Sequence, residues 1–164
     1  MQATETHITR RRIADLLHEV SDPEIPCISI VDLGMVLNII PEDDHWLIAI
    51  ATTYSGCPAI DVIPVLVKEK MNEAGYYNVK ISMEISPPWS TDWISDTGNE
   101  KLLSYGIAPP NGKSSFHVNE GKPKNCPQCG STHTKLISHY GSTPCKAAYK
   151  CEDCLEPFEY FKCF

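Results

Sequence analysis

Four of the eight cysteines in this 164-residue chain form two Cys-x-x-Cys pairs, Cys126-Pro127-Gln128-Cys129 and Cys151-Glu152-Asp153-Cys154. Twenty-one residues separate the pairs. Each pair puts two sulfurs on one tight turn, and two such turns brought together offer four thiolates to one tetrahedral ion. Zn²⁺ suits that donor set, and the spacing is that of a zinc ribbon with a slightly long loop. An iron–sulfur cluster is the alternative occupant of a four-thiolate site. A zinc site of this kind is closed, so its role is structural and it leaves no position for catalysis. His133 and His139 are surplus to a complete donor set and read as surface residues.

Three other cysteines carry weight. Cys145 and Cys163 belong to neither pair; they suit small buried apolar positions or a second thiolate site. Cys57 lies in Thr53-Tyr54-Ser55-Gly56-Cys57-Pro58-Ala59, ahead of a predicted helix. Backbone N–H groups and the dipole at a helix start favour a thiolate. A low-pKa, partly exposed thiolate there can bind iron or act as a nucleophile; the plainer alternative is a turn cysteine packed under its loop. His45 can approach it only through the fold. Asp22, Glu24 and Asp32 sit in rigid loops, where they can aid metal capture or simply cap turns. Trp89 and Trp93 suit a protein interface or a cover for the sheet.

Composition narrows the classes. No apolar run approaches the ~18 residues of a membrane span, so no membrane contact is expected. The first residues lack an apolar stretch after Arg10-Arg11-Arg12, which is unlike a secretory signal. The expectation is a cytoplasmic protein with reduced thiols, whose cysteines serve metal or redox chemistry rather than disulfides. The net charge is −7; residues 1–120 hold 8 Lys+Arg against 17 Asp+Glu, and residues 121–164 hold 6 against 4. An acidic body argues against nucleic acid as the partner, because phosphate binding relies on dense cationic surface.

The elements that must position these residues follow from periodicity. Ile13, Leu16, Leu17 and Val20 make one apolar stripe, which predicts a helix over 9–20 that ends before Pro23. Strands are expected over 34–40, 46–53 and 78–85. Trp46 to Ala51 is apolar on both faces, as a central strand is. Val79, Ile81, Met83 and Ile85 alternate with polar residues, which predicts one buried face. A helix follows Cys57 and runs toward Gly75; Pro64 inside it predicts a late start or a kink. A short helix over 97–105 ends at Gly106. The reading is α+β: a compact α-β-β-α-β domain over 1–108, a linker over 109–125, and a zinc β-ribbon over 126–164. A bare sheet edge can also pair two copies as a homodimer.

Asp22-Pro23-Glu24-Ile25-Pro26, Ile30-Val31-Asp32-Leu33-Gly34 and the Cys57 loop resemble the iron–sulfur assembly domain family. Pro88-Trp89-Ser90-Thr91-Asp92-Trp93-Ile94, Tyr105-Gly106-Ile107-Ala108-Pro109-Pro110 and the stretches around Cys145 and Cys163 resemble one branch of it. That branch is the phenylacetate-degradation D family, accessory to a phenylacetyl-CoA 1,2-epoxidase. The resemblance implies a compact α/β domain with the cysteine loop at a helix start. It maps the family's reactive cysteine onto Cys57, its acidic motif onto Asp22, Glu24 and Asp32, and the branch's extra cysteines onto Cys145 and Cys163. Pro64 departs from the branch. The implied function is maturation of an iron or iron–sulfur centre, with Zn²⁺ structural and iron or a cluster transient, rather than turnover of substrate. The implied partners are epoxidase subunits and iron–sulfur assembly proteins. The alternative is a non-catalytic structural subunit that binds only zinc. A nucleic-acid-binding ribbon and a thiol enzyme are weaker readings, since the charge opposes the first and no Cys-His-acid spacing supports the second.

Overall fold

The structure is a computed structural model, and it describes residues 2–53, 57–111 and 123–162. Cys163, the middle of the expected linker and Tyr54–Gly56 of the cysteine loop lie outside the described residues. The chain divides into two compact units, 1–89 and 90–164.

The first unit opens with α1 (Gln2–Leu17), longer at its start than the apolar stripe predicts. Ile13 and Leu17 are fully buried, and Val20 is buried just beyond the helix, where single turns carry the chain to Pro23. Then come β1 (Val36–Pro41), β2 (Trp46–Ala51), α2 (Ala59–Glu73) and β3 (Val79–Glu84). The sheet order is β1-β2-β3; β1 pairs with β2 antiparallel, and β2 with β3 parallel across the α2 crossover. β2 is central, as its two-faced apolar run requires, and Ile48, Ala49, Ile50 and Ala51 are buried.

Two expectations need correction here. Of the late start or kink that Pro64 predicts, the late start is absent: α2 begins at Ala59 and carries Pro64 inside. Its stripe of Ala59, Ile63, Val67 and Met71 is buried, and that burial offsets one lost backbone bond. The alternation in β3 does not bury a whole face. Only Val79 is buried, Ile81 and Met83 are half-buried, and Ile85, beyond the strand, is 81% exposed, because that face is incompletely covered. Gly75 behaves as expected, closing α2 in a left-handed conformation (φ 85°).

The second unit holds a short 3-10 turn (Thr91–Trp93), α3 (Asp96–Ser104), β4 (Ile107–Ala108), β5 (Thr134–Ser138), β6 (Lys146–Cys151) and β7 (Pro157–Phe161). The Ser95 side chain caps α3 by accepting the Gly98 N–H at 2.9 Å. The sheet order is β4-β7-β6-β5. Residues 90–108, grouped with the first domain by the sequence, therefore lie in the second unit. The reason is β4: its two residues pair with Glu159 and Tyr160 of β7. Ala108, Ala147, Tyr149, Phe158 and Tyr160 form the core together with Cys126 and Cys151. No described helix is long and apolar enough to cross a membrane.

Candidate metal and thiol sites

The ribbon site is built by its two knuckles. The Cys126 carbonyl accepts the Gly130 N–H at 2.9 Å, and the Gln128 N–H points at the Cys126 sulfur from 3.4 Å. In the second knuckle the Cys154 N–H points at the Cys151 sulfur from 3.5 Å. Each knuckle ends on a left-handed residue, Gly130 (φ 75°) and Leu155 (φ 67°). The four sulfurs lie within 4.8 Å of one another. Cys126 and Cys154 sulfurs are 3.8 Å apart, and those of Cys129 and Cys151 are 3.6 Å apart. These are far too long for disulfides, whose S–S bond is about 2.0 Å. A tetrahedral ion with bonds of about 2.3 Å has ligand edges of about 3.8 Å, so the donor set fits Zn²⁺.

The electrostatics agree. The backbone N–H of Cys154 pulls the Cys151 thiol down to about 6. At Cys154 a backbone N–H from Glu156 is outweighed by burial and three neighbouring sulfurs, and the thiol is pushed up to about 12. Cys129 is also raised, burial and the Cys151 sulfur outweighing the Ser131 N–H. Crowded sulfurs cannot all ionise alone; a cation at their centre removes that conflict. His133 stays out of the set: its Nδ1 faces Asp153 at 3.3 Å, on the surface. His139 is exposed.

Cys57 lies at the mouth of α2, and its carbonyl accepts the Ile60 N–H at 3.1 Å. It is half-buried. Its thiol is raised, not lowered as the sequence predicts. Burial is the largest cause; the Thr53 hydroxyl and the Ala59 N–H oppose it, and the Glu24 and Asp22 carboxylates raise it further. The helix start does favour the thiolate, but burial and two like charges outweigh it.

Those carboxylates come from the rigid loop after α1. Oδ1 of Asp22, a buried side chain, accepts the N–H groups of Glu24 and Ile25, both at 2.8 Å. The loop is thereby locked with Asp22 and Glu24 near the thiol. Asp32 is in a turn of its own, where it accepts the Ser29 hydroxyl at 2.9 Å. His45 is held between Glu42 (2.8 Å) and Asp44 (2.6 Å) in the β1–β2 turn. Trp89 is buried and donates its indole N–H to the Leu33 carbonyl at 2.9 Å, so it covers the loop. Two further residues carry little signal in the sequence: Thr53, whose hydroxyl bonds the Cys57 thiol, and Cys27, a half-buried cysteine of the acidic loop. A polar residue four positions before the cysteine was the only signal for Thr53.

Cys145 is buried, with Thr143 Oγ1 3.0 Å from its sulfur. The Lys162 side chain faces it electrostatically, donates to the His139 carbonyl at 3.3 Å and lies over the Tyr140 ring at 5.0 Å. Burial lowers the Lys162 pKa.

Comparison with known proteins agrees with this architecture. Residues 10–83 match the family model described as an iron–sulfur cluster assembly protein, and residues 110–162 match that of the PaaD zinc beta ribbon domain. A solved domain of unknown function, DUF59, from Bacillus anthracis is 26% identical with a TM-score of 0.56, covering 61% of this chain and 96% of its own. Fold and sites thus define a two-part protein: an iron–sulfur-assembly-type domain followed by a ribbon with a closed four-cysteine site. A protein of Escherichia coli (strain K12) that bears the name of the D component of 1,2-phenylacetyl-CoA epoxidase is 45% identical over 148 residues, 90% of this chain and 89% of that one. The chain belongs to this family of phenylacetyl-CoA epoxidase D components.

Proposed function

We propose that this protein is an accessory factor that takes up iron, alone or in a cluster, for a metal centre of a phenylacetyl-CoA epoxidase, with Cys57 as the receiving thiol. One observation carries the reading. A half-buried thiol at a helix mouth is kept protonated by burial and by two carboxylates, Glu24 and Asp22, held on a rigid loop. Those carboxylates disfavour a bare thiolate but attract a cation. When Fe²⁺ arrives its charge reverses the balance: the S–H bond breaks, the proton leaves to solvent and a sulfur–iron bond forms. The protonated resting thiol is less open to oxidation between deliveries. In this reading Zn²⁺ holds the ribbon, and the ribbon docks the target protein of the epoxidase.

The test is anaerobic reconstitution of the purified protein with iron and sulfide. Iron retention that falls to the blank level in Cys57→Ser supports the role, and retention equal to wild type removes it. A second reading, a structural component that binds only zinc, is favoured by the closed four-cysteine set, which needs no help from Cys57. It predicts stoichiometric co-purification with the oxygenase, and an oxygenase whose iron content does not change when this protein is deleted.

A further inference from the structure

Three of the six Lys and Arg residues before residue 90 are consecutive, Arg10-Arg11-Arg12, in a chain that is otherwise acidic. All three are exposed on α1. Arg10 and Arg11, with His7 and Ala14, line one wall of a cleft of ≈ 430 Å³. The opposite wall is β1, from Val36 to Ile39. Among the described residues neither guanidinium has an ion-pair or hydrogen-bond partner.

That opposite wall is a sheet edge. β1 has one strand neighbour, β2. The Glu42 N–H donates to the His45 carbonyl at 2.8 Å, which makes them a bonded pair. Bonded and non-bonded pairs alternate in an antiparallel ladder, so Ile40/Leu47 and Asn38/Ala49 are the next bonded pairs. The N–H and C=O of Ile39 then point away from β2, toward open space. Leu37 is the extra residue of a bulge between Val36 and Asn38 and has no partner on β2. Pro41 has no N–H and ends the usable edge. Among the described residues no backbone group outside the ladder pairs with residues 36–41.

A short open edge, a half-buried apolar wall and unpaired cations on one side suit one kind of occupant. We propose that the cleft between α1 and β1 receives an extended acidic segment of a partner protein, which adds to the edge as a short strand. Main-chain bonds at Leu37 and Ile39 would hold it, and alternate side chains would select it. Ile39 is buried on the α1 side, while Ile40 is 42% exposed on the other face. Carboxylates at every second position therefore meet Arg10 and Arg11, and the apolar residues between them meet Ile40. This surface is separate from Cys57, so the inference stands or falls apart from the iron reading.

The probe is a fluorescein-labelled, end-capped Glu-Val repeat of six residues, titrated by anisotropy into the full chain. Binding should be saturable and weaken with salt. It should drop about tenfold or more in an Arg10→Glu, Arg11→Glu double variant, which reverses exposed charges only. A repeat N-methylated at alternate amides should lose binding, because the main chain could no longer pair. Backbone amide shifts should centre on Leu37 and Ile39. Unchanged secondary structure of the double variant by circular dichroism keeps the comparison valid; the wild-type comparisons stand without it. Any of these results overturns the proposal: no binding, equal binding of a Lys-Val repeat, undiminished binding of the N-methylated repeat, an equally tight single-stranded oligonucleotide, or a dimer that already buries the edge.

Discussion

At Cys57 two local forces point in opposite directions. Position at a helix start, readable from Cys57-Pro58-Ala59, favours the thiolate; the Ala59 N–H and the Thr53 hydroxyl deliver that effect. Burial and the two carboxylates outweigh it, and those carboxylates come from more than thirty residues earlier in the chain. No local reading could weigh them. The consequence is measurable: alkylation of Cys57 should inflect above the ordinary cysteine value of about 8.5. Glu24→Gln removes one like charge, so its inflection should move down. Because the folded state holds the thiol proton more tightly than the unfolded chain, this thiol's contribution to stability is present at low pH and is lost as pH rises through the raised pKa. An alkylation profile for Glu24→Gln that superimposes on wild type would remove Glu24 from the site. Leu155 is a second residue at odds with its place. It occupies in the second knuckle the left-handed position that Gly130 occupies in the first, and it is 62% exposed. A left-handed Leu costs about 1–2 kcal/mol, part of which Gly would return in unfolded-state entropy. Leu155→Gly should therefore stabilise the metal-loaded ribbon by about 0.5–1 kcal/mol in denaturant melts.

For the elements, the hydrophobic pattern gave identity and left orientation open. The two-faced apolar run of β2 had one reading, and the sheet places it centrally. α2 was less constrained. Val62, Ile63, Val65, Leu66 and Val67 are all apolar, so several stripes could face the sheet. The stripe through Ala59, Ile63, Val67 and Met71 is buried, while Val62 and Val65 are 43% and 54% exposed. Ile63→Ala should thus cost about 3 kcal/mol, and Val62→Ala less than about 0.5 kcal/mol, in urea midpoints. Equal effects would mean that α2 is rotated from the orientation described. β3 shows the opposite difficulty: its alternation was clear, but alternation marks which residues share a face and not whether anything covers that face. Asp22 and Asp32 differ for a similar reason. Both were legible as loop carboxylates, and only tertiary placement brings Asp22 to the thiol and leaves Asp32 with Ser29.

On the scale of the whole molecule, the four clustered cysteines and Cys57 stand in different units. The knuckle spacing made the ribbon legible, but its near boundary was not, because a two-residue strand such as Ile107–Ala108 carries no periodicity. Only pairing with β7 draws the preceding helix into the second unit. The four-cysteine site is part of that unit's core: Cys126 and Cys151 are 2% and 0% exposed and pack with Tyr149, Phe158 and Tyr160. Without an ion, buried sulfurs must sit together unpaired and incompletely ionised, and so small a core has little else to offset the entropy of ordering its loops. In the first unit Ile48, Ile50, Ile63 and Val67 are buried, and none of them is a metal-ligating residue. Chelation of zinc at neutral pH should therefore collapse the amide dispersion of residues 123–162 while that of Val36–Glu84 persists. Returning zinc should restore it with release of about two or more protons per ion, because the thiols of the unfolded ribbon, with ordinary values of about 8.5, are mostly protonated at neutral pH and bind as thiolates. Acidification should release the metal in the same way, and Cys151→Ser should mimic chelation. Loss of both sets of amides together would show that the metal holds the entire chain, and persistence of both would show that the ribbon folds without it.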